Sequence, residues 1–570
     1  MDTMHCDVLV IGGGGAAGRA AIAAHDAGAN VLIAVKGRLG GGATGFSMSE
    51  MAGYNSPDGA ADPSDNPEQY YNDIMEAALG MADPAAARVI AENAENTVRQ
   101  LEDWGVRFER NPDGGYFAFL SCYSNKARTH VIKGHGEPIV KAQGEQIRKR
   151  NIAVREGMTV CALAVKDGAV SGAVAIDREG TQVALEAGAV VMATGGATQA
   201  IERNMNPAEV SGDGYAMAYR AGAELVNMEF MQAGMGFSYP ASSLINAYIW
   251  GGHPALTNKN GEEFMSAVLP DGLNWKDVMD EHRKHFPFSS RDCSRWLEVS
   301  IQRELAEGRG SARKGIGADF SMMTDEFVAG LSNKYGIHRM WPIARDYFLT
   351  KGIDVLSGKT EVACFAHAVN GGIRVNERAE SSLSGLFAAG ETAGGPHGAD
   401  RLGGNMMVTC QVYGRLAGEH AAAFAKLRGS VRSDAKVFKE SFEKLNPILF
   451  ARVDATGIRR LLADAGQKHL LVRRTETGLR SFLETVASLK QEFHSSPAAE
   501  CAVMANLSAY NLLSSAEIMA TAALNRRESR GSHFREDYPE SNPEYSLPFV
   551  MRNDAGKERY RRDSRKPDQG

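Results

Sequence analysis

Apolar and polar positions first organise at the start of the chain. Val8-Leu9-Val10-Ile11 predicts a short strand over 7–11, and 12–15 is a glycine turn. The spacing that follows predicts a helix over 16–27 ended by Gly28, and 31–35 reads as a second strand. This is a βαβ unit. Apolar strand signals followed by glycine return at 189–196 and at 385–404, so the nucleotide-binding elements are distributed along the chain and one domain is interrupted by another. The interruption is read as a capping domain over 236–359, where Trp, His and Pro cluster and an amphipathic helix is predicted over 292–306. It leaves 1–235 and 360–428 as two parts of one α/β domain. Helical patterns over 416–427, 477–493 and 498–525 make 429–570 a helical C-terminal domain, with a loose Arg-rich tail over 557–566.

Composition narrows the function classes. With 570 residues, 44% hydrophobic and 23% charged, the chain can bury large cores. A formal charge of -6 gives no general attraction to nucleic acid, so anion binding must come from a few placed cations. The first seven residues are acidic where a secretion signal needs base, and no uncharged apolar run approaches the roughly 18–20 residues of a spanning helix. The expected location is the cytoplasm, with any membrane association through a partner. Seven scattered cysteines (Cys6, Cys122, Cys161, Cys293, Cys364, Cys410, Cys501) contain no C-x-x-C pair. They read as buried reduced thiols, with no metal site, and place any iron-sulfur cluster on another chain.

The 8–18 segment, Val-Leu-Val-Ile-Gly-Gly-Gly-Gly-Ala-Ala-Gly, follows a strand and opens a helix, which is the context of a dinucleotide fingerprint. Gly12, Gly14 and Ala17 give G-x-G-x-x-A; Gly13, Gly15 and Gly18 give an alternative register. The second strand closes on Val35-Lys36 rather than on the acid that would hold a nicotinamide cofactor's ribose. Two later elements, Thr194-Gly195-Gly196 after a strand and Leu386 to Glu391 with its terminal Gly-Glu, suit a longer flavin dinucleotide whose contacts recur far apart.

Together with Ser211-Gly212-Asp213-Gly214, His367-Ala368-Val369-Asn370-Gly371-Gly372 and the run from His397 through Asp400-Arg401 to Asn405, these elements resemble the T-G-D-G, H-Y-T-M-G-G and H-G-A-N-R-L-G-G-N motifs of the fumarate reductase and succinate dehydrogenase flavoprotein family. Ser290-Arg291-Asp292, Glu307-Gly308-Arg309-Gly310 and Arg527 to His533 extend the likeness over nearly the whole chain. The resemblance implies a two-dinucleotide-binding FAD fold with an α+β cap and a helical C-terminal domain. It implies FAD contacts from Gly12, Gly14, Gly15, Ala17, Lys36, Thr44, Gly195, Gly196, Asp213, Glu391 and Asn405, with Glu391 near the ribityl chain and Asn405 near the isoalloxazine. Arg401 and His367 resemble the binders of the substrate anion, and Arg291 the family's acid-base arginine. Guanidinium keeps its proton in ordinary surroundings, so Arg291 needs a relay, for which His282, His285 and Glu281 are candidates.

The chain also departs from that pattern. Residues 41–47 lack the histidine that holds FAD covalently in respiratory members, so noncovalent FAD is expected. The H-P-T that follows the Glu-Phe strand is replaced by Gln232-Ala233-Gly234, and the Thr-Glu pair of a later run is lost at Asn246 to Pro254, where Tyr248 and Trp250 indicate a larger or more aromatic ligand. The expected activity is that of an FAD-dependent oxidoreductase, a flavoprotein subunit that works on a carboxylate-bearing C=C or CH-CH substrate, with an altered pocket and a separate iron-sulfur partner. The alternatives are an L-aspartate oxidase-like or adenylylsulfate reductase-like enzyme, or an electron-transfer subunit without its own substrate.

Overall fold

The computed structural model describes residues 1–46, 48–429, 434–498, 503–554 and 557–562; Ser47, Cys501 and the tail beyond 562 lie outside them. The N-terminal βαβ unit forms as its pattern requires. The first strand is longer than predicted, Asp2–Ile11, because its polar start pairs in register with Gln182–Met192. The helix spans Gly15–Asp26 and the second strand Val31–Val35. Val8, Leu9 and Val10 are fully buried, each such side chain contributing about 1.5–3 kcal/mol.

These strands centre a seven-stranded sheet ordered Ala153–Glu156, Val31–Val35, Asp2–Ile11, Gln182–Met192, Ala169–Ile176 and Thr159–Lys166, with the distant Leu386–Ala388 also laid parallel on Gln182–Met192. Strand 386–388 thus delivers Glu391 to the same carboxyl-terminal sheet edge as the first glycine turn, the edge at which open α/β sheets bind ligands. The helix Asn405–Arg428 packs on Gly15–Asp26, and glycine permits the contact: a Cβ at Gly418 would stand 2.2 Å from the Ala20 carbonyl oxygen.

Between the two parts of the sheet, Met231–Tyr239 and Thr360–Val369 pair antiparallel and carry the chain into and out of the intervening segment. The amphipathic helix there begins at Arg295, three residues later than predicted, because Asp292 and Ser294 are engaged in a turn before it. The C-terminal region supplies the helices Ala455–His469, Glu476–Ser495 and Val503–Asn525. It then departs from the expected loose tail: Phe549–Asp554 joins the sheet at Leu225–Val226, and Lys557–Arg562 pairs with it as an edge strand. Arg561 bonds Glu224 at 2.8 Å, so its charge serves an edge contact.

Candidate functional site

A cavity of about 600 Å³ opens along the carboxyl-terminal edge of the main sheet. Of the residues singled out from sequence, Gly12, Gly14, Gly15, Lys36, Thr44, Gly195, Asp213, Glu391, His367 and Arg401 line it. Ala17, Gly196, Asn405 and Arg291 do not.

The glycine end fits a dinucleotide. Gly12 sits at φ +131° with its α-carbon so close to the next strand that a Cβ would lie 2.1 Å from the Ala193 oxygen. The helix Gly15–Asp26 carries no side-chain cap, which leaves first-turn N–H groups for pyrophosphate oxygens. Thr44 Oγ1 accepts from the Gly15 N–H at 3.3 Å and braces this turn. Lys36, standing where an acid would hold a ribose, pairs through Nζ with Asp213 at 2.6 Å and donates to Ser211 Oγ at 2.9 Å. Asn511 Nδ2, from the C-terminal helices, donates to the other Asp213 oxygen at 2.8 Å. Asp213 is half-buried, and against the partial desolvation Lys36 and its other donors hold its carboxyl below the ordinary value. Asn511 had no signal in the sequence.

Glu391 is half-buried where Gly196 gives it room: a Cβ at Gly196 would fall 2.1 Å from Glu391 Oε1. The Val369 N–H donates to Oε1 at 2.9 Å, and burial pushes the carboxyl up to about 7. Asn405, buried at the start of its helix, accepts from Tyr70 Oη at 2.6 Å and from Asn55 Nδ2 at 2.5 Å, and so ties the helix to the wall behind the cavity.

The substrate-side residues divide into two layers. Arg401 is buried; its Nε and Nη2 donate to Gln232 Oε1 at 3.1 and 2.8 Å, and Nη1 to the Leu402 oxygen at 3.0 Å. A guanidinium carries five N–H donors, so two remain for an anion. His367 lines the cavity with Nδ1 unpartnered, and burial with the nearby Arg401 charge pulls it down to about 3, so the ring is neutral at physiological pH. Phe286 stands edge-on to it at 5.5 Å and joins Met205, Leu244 and Ala247 in an apolar wall, backed by Met48 and Cys122.

Arg291 lies in the second layer. Its Nε donates to Asp400 Oδ2 at 3.0 Å, its Nη2 to the Ala77 oxygen at 2.8 Å, and the guanidinium packs 4.5 Å over the Tyr123 ring. Burial opposes its charge, but Asp400 and Tyr123 outweigh burial and hold it above the ordinary arginine value. Asp400 itself is pushed up by burial. Of the three relay candidates, His285 is in place: it meets Tyr123 Oη at 3.1 Å and Asp292 at 3.1 Å. His282 is spent on Glu298 at 2.8 Å and Glu281 on Lys284 at 2.6 Å. Trp250 is a core residue, packed on His282 and Phe320, whereas Tyr248 borders the cavity.

Sequence reasoning missed Gln232 as the partner of Arg401, Tyr123 under Arg291, and Glu50 behind Tyr248. Cys122 and Cys410, read only as inert thiols, border the cavity; burial pushes Cys410 up to about 12 and raises Cys122, so both stay protonated. Among the described residues no group of three or more His, Cys, Asp or Glu is arranged to hold a metal, and no helix is long and apolar enough to cross a membrane.

Comparison with known proteins agrees with this geometry. The FAD binding domain family matches residues 7–407, and the fumarate reductase flavoprotein C-terminal family matches 459–563. A fumarate reductase (CoM/CoB) chain of Methanothermobacter marburgensis is 32% identical, over 96% of this chain and 97% of its own. The L-aspartate oxidase of Neisseria meningitidis is 28% identical, over 93% of this chain and 99% of its own. Among solved structures, Mycobacterium smegmatis Sdh1 in complex with UQ1 superposes with a TM-score of 0.82 at 27% identity, over 100% of this chain and 95% of that one.

Proposed function

Because this chain belongs to the fumarate reductase and succinate dehydrogenase flavoprotein family and is an FAD-dependent oxidoreductase, we propose that it reduces an activated C=C bond, or dehydrogenates the saturated partner, of a substrate bearing one carboxylate or equivalent anion. The observation that carries this reading is the cavity wall beside Arg401: a buried cation with two free N–H donors next to apolar Met205, Leu244 and Phe286, with Gln232 in place of a second anion binder.

FAD, when bound, supplies hydride exchange at its flavin ring. The glycine turn and uncapped helix start would hold its pyrophosphate, and Glu391 would face its ribityl side. Arg401 fixes the substrate anion, and neutral His367 with Phe286 orients the adjoining carbons and excludes water. Arg291, one layer behind the cavity and paired with Asp400, would pass a proton to the substrate carbon through a bridging water; the Tyr123 ring packs against it, and His285 and Asp292 lead from Tyr123 towards the surface. Electrons pass to or from a separate iron-sulfur protein.

The flavin is held without a covalent bond, as the absence of histidine from 41–47 supports. Acid precipitation is expected to release it into the supernatant; flavin colour remaining in the washed pellet overturns this.

The test of function is anaerobic stopped-flow reoxidation of the reduced protein by fumarate beside a panel of monocarboxylate enoates, aromatic ones included. The expected result is fast reoxidation by at least one enoate and a fumarate rate lower by roughly 10–100-fold, the worth of one lost hydrogen bond to a charged group. Fumarate as the fastest acceptor overturns the altered specificity.

A further inference from the structure

Behind the cavity wall at Tyr248 and Asn246 lies a carboxyl that the mechanism above does not use. Glu50 is 2% exposed. Its Oε1 accepts from both Tyr248 Oη and Asn246 Nδ2, at 2.5 and 2.6 Å, while Oε2 is buried without a partner. Among the described residues no cation pairs with it. A side chain so placed orients its neighbours rather than contributing net stability, since an unsatisfied buried oxygen is unfavourable. Tyr248 and Asn246 border the cavity; Glu50 does not.

The direction of these bonds fixes what the wall can offer. Tyr248 gives its only proton to Glu50, so its oxygen faces other groups with lone pairs alone. Asn246 spends an N–H on the same oxygen and keeps its carbonyl as an acceptor. The arrangement is the same whether Glu50 is ionised or carries a proton on Oε2, because Oε1 accepts in both states.

We propose that Tyr248 and Asn246, held by the positioning residue Glu50, form a hydrogen-bond-accepting subsite that takes a donor group of the substrate, a hydroxyl or an amine, and turns away a second carboxylate. This rests on the reading of the cavity as the substrate chamber and goes beyond it by naming the chemistry of a second recognition point. The loss of the clamp at Gln232 and at Asn246 to Pro254 removes donors for a dicarboxylate; the Glu50 arrangement adds acceptors that repel one. A site whose buried polar groups match a substrate donor discriminates strongly against an analogue that leaves them unmatched.

The test is ligand binding to the oxidised holoenzyme, read from perturbation of the flavin absorption. The probes are butanoate, 4-hydroxybutanoate and succinate, with their homologues one and two carbons longer. In the unaltered protein a hydroxy acid is expected to bind tightest and a dicarboxylate weakest. Glu50→Gln, whose amide oxygen can accept from the same two donors, should change little; Glu50→Leu removes the acceptor at similar size, which frees the phenol proton for the cavity. The dicarboxylate-to-hydroxy-acid ratio of affinities should rise roughly tenfold or more, while the plain acid moves little. Tyr248→Phe should erase the preference for the hydroxy acid over the plain acid without altering FAD content. An unchanged ratio in Glu50→Leu with tight binding retained, or equal weakening of all three ligand types, overturns the subsite alone. No binding by any probe to either protein overturns it together with the substrate reading.

Discussion

Arg291→Ala is expected to keep its full complement of FAD and to lose turnover by about three orders of magnitude, within the range that a positioned proton carrier contributes. FAD should stay because Arg291 borders no part of the cavity; its bonds go to Asp400 and the Ala77 carbonyl, one layer back. Turnover should go because the substituted protein lacks the group that supplies the proton through a bridging water, and because Arg401, next in sequence to Asp400, loses the ion pair that fixes its loop.

The substitution also leaves Asp400 buried with only Ser289 Oγ, at 2.7 Å, in contact. Removing one partner of a fully buried pair costs about 3–5 kcal/mol when the survivor stays charged; Asp400 is fully buried but the Arg291 side chain is 22% exposed, so the cost here is smaller. Here the carboxyl can take up a proton instead, as burial already raises it. A carboxyl whose folded value lies above its unfolded one binds more protons folded than unfolded, so the variant should lose stability relative to the parent as pH rises through that window and recover it in acid. Flavin absorbance per protein, single-turnover rates and melting at two pH values check the three statements. Arg291→Lys separates the roles: it should restore stability at neutral pH by compensating Asp400, without restoring the fork that also reaches Ala77. Near-normal turnover in Arg291→Ala makes Arg291 a structural partner of Asp400 and nothing more.

Much of this is legible in the sequence because the cofactor's demands are written in residue types that have few other uses. A strand ending in glycine at φ +131° against Ala193 cannot accept a side chain, and the same constraint at Gly196 makes room for Glu391. Such positions signal themselves through glycine at fixed places after apolar runs. The substrate wall carries weaker signals, because what distinguishes it is pairing between distant segments. Gln232 differs from any other strand glutamine only in facing Arg401, 169 residues on. Glu50 sits alone between Ser49 and Met51, and nothing in its neighbourhood foretells Tyr248. Trp250 and Tyr248 lie on one short turn, Ala247–Gly252, whose tight winding sends the first into the core and leaves the second on the cavity. The C-terminal strands were hidden for another reason: an edge strand rich in Arg looks like a solvated tail until its partner, Phe549–Asp554, is known.

The motif from Arg527 to His533 supports the site without touching the cavity, and this yields the second large expected effect. The Gly531 carbonyl accepts from the Ser290 N–H at 2.7 Å, next to Arg291, while the Ser532 N–H and Oγ bond the Ala399 oxygen at 3.0 and 2.8 Å, next to Asp400 and Arg401. One tight turn therefore sets the spacing between both arginine segments. Gly531 holds φ +52°, and a Cβ there would stand 2.6 Å from the Ala399 carbonyl carbon. Gly531→Ala must displace Ala399 and with it Arg401. Misplacing a binding group by as little as 1 Å can lower a rate by about a hundredfold, so kcat/KM for the anionic substrate is expected to fall by roughly that factor with FAD content unchanged. The left-handed backbone alone costs an alanine about 1–2 kcal/mol, and Gly28→Ala isolates that part, because Gly28 sits at φ +90° with no atom near its Cβ position. If the two substitutions lower stability alike and both leave kcat/KM intact, the turn is a passive connection; a loss confined to Gly531→Ala makes it the spacer that holds the anion-binding and proton-carrying arginines in register.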